Sequence, residues 1–198
     1  MTKAEWRRHM KGLLAAVPAA DLERRSTLAA ERLMASAWWR EADTVLAYLA
    51  MPGELDTGAI VRAARGGGKT VACPLIAEGY LRFRVIAAPV DHLARDAWGI
   101  PQPDPSWPAW QVEAVAGSVL VVTPGLAFDQ GLHRLGRGRG YYDRFLARLR
   151  AAPGVRSVAV AFCLDEQVVD DLPRDDRDQP VDGIVTDRRT LTVAAGSP

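Results

Sequence analysis

The chain of 198 residues holds only two cysteines, Cys73 and Cys163, and three histidines, His9, His92 and His133. That scarcity excludes a disulfide framework, and neither set shows the spacing of a metal site or a catalytic triad. Each cysteine lies in an apolar run, where cysteine behaves as a small buried hydrophobe. The histidines read as surface or structural residues. Long hydrophobic runs are missing too, so no stretch can span a bilayer, and the opening MTKAEWRRHMKGLL has no apolar signal-peptide core. Excess charge of one sign is also absent. Lysine plus arginine number 25 against 24 for aspartate plus glutamate, so no whole-molecule field favours nucleic acid or an anionic membrane. Lysine is scarce, at Lys3, Lys11 and Lys69 alone, and arginine carries nearly all the positive charge. A soluble, cytoplasmic, monomeric protein with one domain over residues 1–198 is the expectation, since about 100 to 200 residues make a domain.

What is present is alternation. Residues 2 to 16 read as a basic helix, and a second follows Pro18 with Asp21 as its N-cap and Leu22, Ala29, Leu33 and Ala37 on one face. Two helices thus precede a first strand at 44–50. The segment Glu54-Leu55-Asp56-Thr57 leads into a helix across Ile60 to Ala64. Glu54 there suits a helix N-terminus, and Asp56 and Thr57 suit caps. Further strands are predicted at 70–75, 81–87, 119–123 and 157–163. Helix alternating with apolar strand predicts a three-layer α/β fold with a largely parallel central sheet flanked by helices. Between Pro89 and Trp110, five prolines and the tryptophans Trp98, Trp107 and Trp110 predict an irregular loop.

The chemistry concentrates after the strand ending at Thr123. Arg134-Leu135-Gly136-Arg137-Gly138-Arg139-Gly140 runs into Tyr141-Tyr142-Asp143, and Tyr142, Phe145, Leu146 and Leu149 follow at helical spacing. A glycine-rich loop therefore opens directly into a helix. Its backbone N–H groups and the helix N-terminus can face an anion closely, and Arg134, Arg137 and Arg139 can add charge-assisted hydrogen bonds. Asp143 beside phosphate implies an intervening magnesium ion. Asp129 suits an Asx-type turn role or a catalytic one. Gly68-Lys69-Thr70 ends like a Walker A motif, but Ala63 stands where its first glycine belongs, and the loop leaves a helix to enter a strand.

The run from Pro124 to Asp143, with Phe128-Asp129, Gly131, Arg134-Leu135-Gly136 and Gly140-Tyr141-Tyr142-Asp143 in order, resembles the signature of 5-formyltetrahydrofolate cyclo-ligases. Lys3 with Arg7, Glu54 with Asp56-Thr57, Ile100-Pro101-Gln102-Pro103 and Pro180-Val181-Asp182 extend the resemblance over nearly the whole chain. It implies an ATP- and magnesium-dependent closure of 5-formyltetrahydrofolate, with or without a polyglutamate tail, to 5,10-methenyltetrahydrofolate. ATP would be held by Lys3, Arg7, Arg134, Leu135, Gly136, Arg137, Gly138, Arg139, Gly140, Tyr141 and Tyr142. The folate would meet Leu49, Glu54, Trp98, Arg137, Arg139 and Tyr141. Arg139, where relatives often carry lysine or glycine, would be catalytic. Asp143 and Asp178 would meet the metal, although the Asp175-Asp176-Arg177-Asp178 run leaves the second register open.

Two alternatives stay open at this level. A paralogue would keep the nucleotide loop and act on another formylated compound through a different pocket around Leu49, Glu54 and Trp98. A non-catalytic RNA-binding module would use the same arginines, but the balanced charge and the lack of an aromatic platform among basic residues argue against it.

Overall fold

The computed structural model describes residues 1–96, 99–114 and 117–192. Helix α1 (Lys3–Ala15) begins with a capping box: the Thr2 hydroxyl accepts from the Glu5 N–H at 3.3 Å, and the Glu5 carboxylate accepts from the Thr2 N–H at 2.7 Å. Helix α2 (Ala19–Met34) starts earlier than predicted. Pro18 holds the N-cap position and Asp21 sits in the first turn, where the helix dipole still favours its charge. Ala37 does not continue the α2 face. It is exposed and opens α3 (Ala37–Glu41), whose cap is the Ser36 hydroxyl accepting from the Trp39 N–H. Three helices precede the first strand rather than two, because a five-residue helix is too short to show a period.

Strand β1 (Thr44–Ala47) is followed by α4 (Gly58–Gly66), β2 (Thr70–Ala77), β3 (Tyr80–Val85), β4 (Ala109–Trp110) and β5 (Gly117–Thr123). The second half holds β6 (Ala127–Asp129), β7 (Arg134–Leu135), α5 (Tyr141–Ala151), β8 (Val155–Cys163), β9 (Val168–Val169), β10 (Gly183–Thr186) and β11 (Thr190–Thr192). The main sheet runs β11-β10-β8-β5-β1-β2-β3-β4. Its five central strands, from β10 to β2, are parallel, and antiparallel partners close both edges. A small sheet, β7-β6-β9, lies beside it.

Alternation along the strands sends side chains to two cores. Val45, Val71, Leu120, Val122, Val160 and Phe162 meet the apolar faces of α1, α2 and α4 through Met10, Leu33, Ile60 and Val61. Leu46, Ala72, Val119, Val121, Ala159 and Ala161 meet Phe145, Leu146 and Leu149 of α5. Central strands buried on both sides explain their nearly continuous apolar sequence. Both cysteines are free and buried, as expected, and burial pushes both thiols up. Among the described residues no helix is long and apolar enough to cross a membrane.

Candidate active site

Taken in chain order, the parallel strands lie as second, first, third, fourth, fifth, so connections leave β1 in one direction and return at β5 on its other side. In doubly wound sheets the crevice at such a reversal, outside the carboxyl ends of the strands, is where ligands bind. A cavity of about 1410 Å³ occupies that place. Leu49, Met51 and Glu54 line it beyond β1, Pro124 and Gly125 beyond β5, and residues 136 to 143 form a further wall. Lys3 and Arg7 of α1, Ile100 and Gln102, and the segment with Asp175 and Asp178 complete it.

The glycine loop needs its glycines. Gly138 and Gly140 have φ of 105° and 64°, and a Cβ on Gly136 would fall 2.8 Å from Arg134 Nη1. Gly140 occupies the N-cap of α5, so no cap side chain hydrogen-bonds to the helix end. Arginines pin the loop from outside. Arg7 Nε donates to the Gly136 carbonyl at 2.9 Å, and Arg144 Nη1 donates to the Arg139 carbonyl at 3.0 Å. Arg144 also donates to the Gly79 carbonyl and lies over the rings of Tyr80 and Tyr141, which ties the β2–β3 turn to the loop. Arg137 and Arg139 are left exposed on the loop itself.

Opposite charges face each other around the cavity. Lys3 Nζ donates to Asp178 at 2.5 Å and to Asp175 at 3.0 Å. Desolvation opposes its charge, but these two carboxylates outweigh that and raise the ammonium above its ordinary value. Glu54 Oε1 accepts from Arg137 Nη2 at 2.8 Å and Nε at 3.2 Å, while its Oε2 accepts from the Met51 N–H at 3.1 Å. Arg134 Nη2 donates to Asp143 Oδ1 at 2.7 Å, and the Gln179 N–H reaches the same oxygen at 3.3 Å. Tyr142 lies under Arg134, with its hydroxyl buried and without a hydrogen-bond partner among the described residues. Burial, then the nearby Glu54, pushes that hydroxyl well up, so it is a neutral donor.

The ATP-, folate- and metal-binding residues named from the resemblance line this one cavity, except Trp98, which lies outside the described residues; Asp129, the other catalytic candidate, does not line it. Several have a different local role from the one expected. Arg134 is buried beneath the loop and orients Asp143. Leu135 packs in the core, and its carbonyl accepts from the Leu126 N–H. Glu54 stands before α4 in a turn closed by the Glu54 N–H on the Met51 carbonyl, so it is not a helix-terminal residue. Thr57 takes the N-cap position, yet its hydroxyl donates to the Tyr48 carbonyl at 2.5 Å. Asp56 is exposed and caps nothing. Asp129 orders the turn after β6 by accepting from the His133 and Leu172 N–H groups, four and 43 residues on, which is a structural role but not the Asx turn. Gln179 and Arg144 were not foreseen, because their relevance comes from contacts across 36 and 65 residues of chain, and Asp175, left open as an alternative to Asp178, joins it on Lys3.

The model of the 5-formyltetrahydrofolate cyclo-ligase family matches residues 1–187. A probable 5-formyltetrahydrofolate cyclo-ligase of Caenorhabditis elegans is 30% identical over 195 residues, covering 96% of this chain and 94% of its own. The 5-formyltetrahydrofolate cyclo-ligase of Mus musculus is 27% identical over 183 residues, 90% of each chain. The solved structure of Aquifex aeolicus 5,10-methenyltetrahydrofolate synthetase is similar with a TM-score of 0.81 at 27% identity, covering 100% of this chain and 96% of that one. The chain belongs to the 5-formyltetrahydrofolate cyclo-ligase family.

Proposed function

We propose that the protein closes 5-formyltetrahydrofolate to 5,10-methenyltetrahydrofolate at the expense of ATP. The formyl oxygen on N5 attacks the γ-phosphorus and ADP leaves. N10 then attacks the formyl carbon and gives up its proton, and phosphate departs with the former formyl oxygen. Phosphorylation turns a poor leaving oxygen into a good one, so most of the catalysis is positioning and charge neutralisation.

The observation that carries this reading is that one cavity holds both chemistries. The phosphate-type loop and the α5 N-terminus form one wall, and the Leu49–Glu54 segment forms the facing one. A single small ligand fills about 300 to 1,000 Å³, so a cavity of about 1410 Å³ has room for two held against each other. Lys3, Arg7 and the loop residues would hold ATP, with exposed Arg139 offering its charge to the transferring phosphoryl group. Leu49 and Glu54 would take the folate ring, joined by Tyr141 and Trp98.

Among the described residues no group of three or more histidine, cysteine, aspartate or glutamate side chains could cage a metal ion. Asp143 and Asp178 nevertheless line the same cavity, which fits magnesium arriving with ATP, since that ion draws most of its ligands from water and phosphate. It would supply charge neutralisation there, and these two carboxylates would hold it. A monomer in the cytoplasm completes the proposal.

The test is purified protein with 5-formyltetrahydrofolate, ATP and magnesium, followed by the absorbance of the methenyl product, with each component omitted in turn. Product that needs all three is expected. Nucleotide binding without product would point instead to another formylated substrate.

A further inference from the structure

We infer that the Glu54–Arg137 ion pair makes the two substrates bind cooperatively, each releasing the pair for the other. This rests on the proposed placement of the folate beside Glu54 and the nucleotide on the glycine loop. Glu54 is fixed: it closes the turn from Met51, where Gly53 has a φ of 84°, and its Oε2 stays on the Met51 N–H. Its side chain is only 9% exposed, against 34% for Arg137, which stands on the loop between Gly136 and Gly138. Arg137 therefore spans from the nucleotide side to the folate side with both of its contacting nitrogens committed to one carboxylate oxygen.

Phosphate oxygens arriving on the loop compete for that guanidinium. If Arg137 turns to them alone, Glu54 keeps a nearly buried charge with a single N–H, which is unfavourable. The 2-amino-4-oxopyrimidine edge of a folate offers paired N–H donors, which can replace those lost from Arg137. Folate thus removes the penalty of nucleotide binding, and by linkage nucleotide favours folate by the same factor.

The experiment is calorimetry with an ATP analogue carrying a methylene bridge between the β- and γ-phosphates, on wild type, Glu54→Gln, Arg137→Ala and the double variant, without folate and then with saturating 5-formyltetrahydrofolate. In wild type, folate should tighten analogue binding about fivefold or more. Without folate, Glu54→Gln should bind the analogue about three- to fivefold more tightly than wild type, as expected for loss of a competing, partly exposed ion pair. The double variant should match Arg137→Ala, and folate should change little in any variant. A residue that touched only the folate would leave the folate-free affinity unmoved. An unchanged folate-free affinity in Glu54→Gln, or the same tightening whether or not Arg137 is present, overturns the coupling. Wild type that makes product while failing these comparisons keeps the function and loses the coupling; wild type that makes no product loses both.

Discussion

Two ionic clusters built from the same residue types lie at the carboxyl edge of the sheet, and they differ in what they leave unfinished. In the first, Arg25 of α2 holds Asp187, just beyond β10, through Nε at 2.8 Å and Nη2 at 3.1 Å, and also pairs with Glu166. Asp187 takes the Asp165 N–H, Arg32 reaches the Thr186 carbonyl, and Arg189 reaches Asp165. Both central side chains are closed off, at 6% and 5% exposure. In the cavity, by contrast, every pair keeps an open side: Lys3 and Asp178 are 24% and 21% exposed, and Asp143 is 19% exposed beside its buried Arg134. A saturated, closed cluster fastens α2 to the strand ends. An unsaturated one facing a cavity holds charges that a ligand can exchange for its own.

The sharpest way to break that contrast is to remove one member from each cluster. Arg25→Ala leaves the Asp187 carboxylate buried and uncompensated, so stability should fall by about 3–5 kcal/mol in urea unfolding. Asp143→Asn keeps an oxygen for the buried Arg134 but removes its counter-charge, so it should cost about 1–3 kcal/mol of stability, less than Arg25→Ala. Its turnover should instead drop about 100-fold, near 2.7 kcal/mol of transition-state stabilisation, as charge is lost beside the phosphoryl group. Unchanged turnover with unchanged magnesium dependence would remove Asp143 from the metal role. Equal stability losses in the two variants would mean that both clusters are structural.

The sequence could not distinguish these clusters, because Asp175-Asp176-Arg177-Asp178 and Asp187-Arg188-Arg189 look alike as charged runs. What separates them is burial, a property of the assembled chain. The long, doubly buried strands were legible from their apolar runs, and the glycine loop from its spacing against α5. Strands β10 and β11 were not, since Gly183–Thr186 offers two large apolar residues and Thr190–Thr192 one, too few for a period. The predicted first strand ran to Ala50, but pairing stops at Ala47, and the buried Tyr48 and Leu49 carry the same apolar run out of the sheet towards the cavity. The Arg137–Glu54 contact joins residues 83 apart in the chain, and the resemblance named both without linking them.

The smallest effect concerns acid, and it separates the clusters once more. Burial alone would raise the Asp187 carboxyl, but hydrogen bonds from Arg25 and the Asp165 N–H, with the Arg25 charge, hold it below the ordinary 3.8. A folded-state value lower than the unfolded one means that the unfolded chain takes up the proton first as pH falls. The contribution of Asp187 is therefore complete above about pH 4 and is lost as pH drops through the lower folded-state value. Asp175 is also held below 3.8, first by the Lys3 hydrogen bond, but it sits in water where screening leaves such a pair little weight. Urea unfolding from about pH 6 down to about pH 3 should show a steeper loss for wild type than for Asp187→Asn, whatever the starting stability of that variant. Asp175→Asn should run parallel to wild type. If Asp187→Asn also ran parallel, the closed cluster would not be the source of acid sensitivity, and the difference in burial would carry no weight in the protein's response to pH.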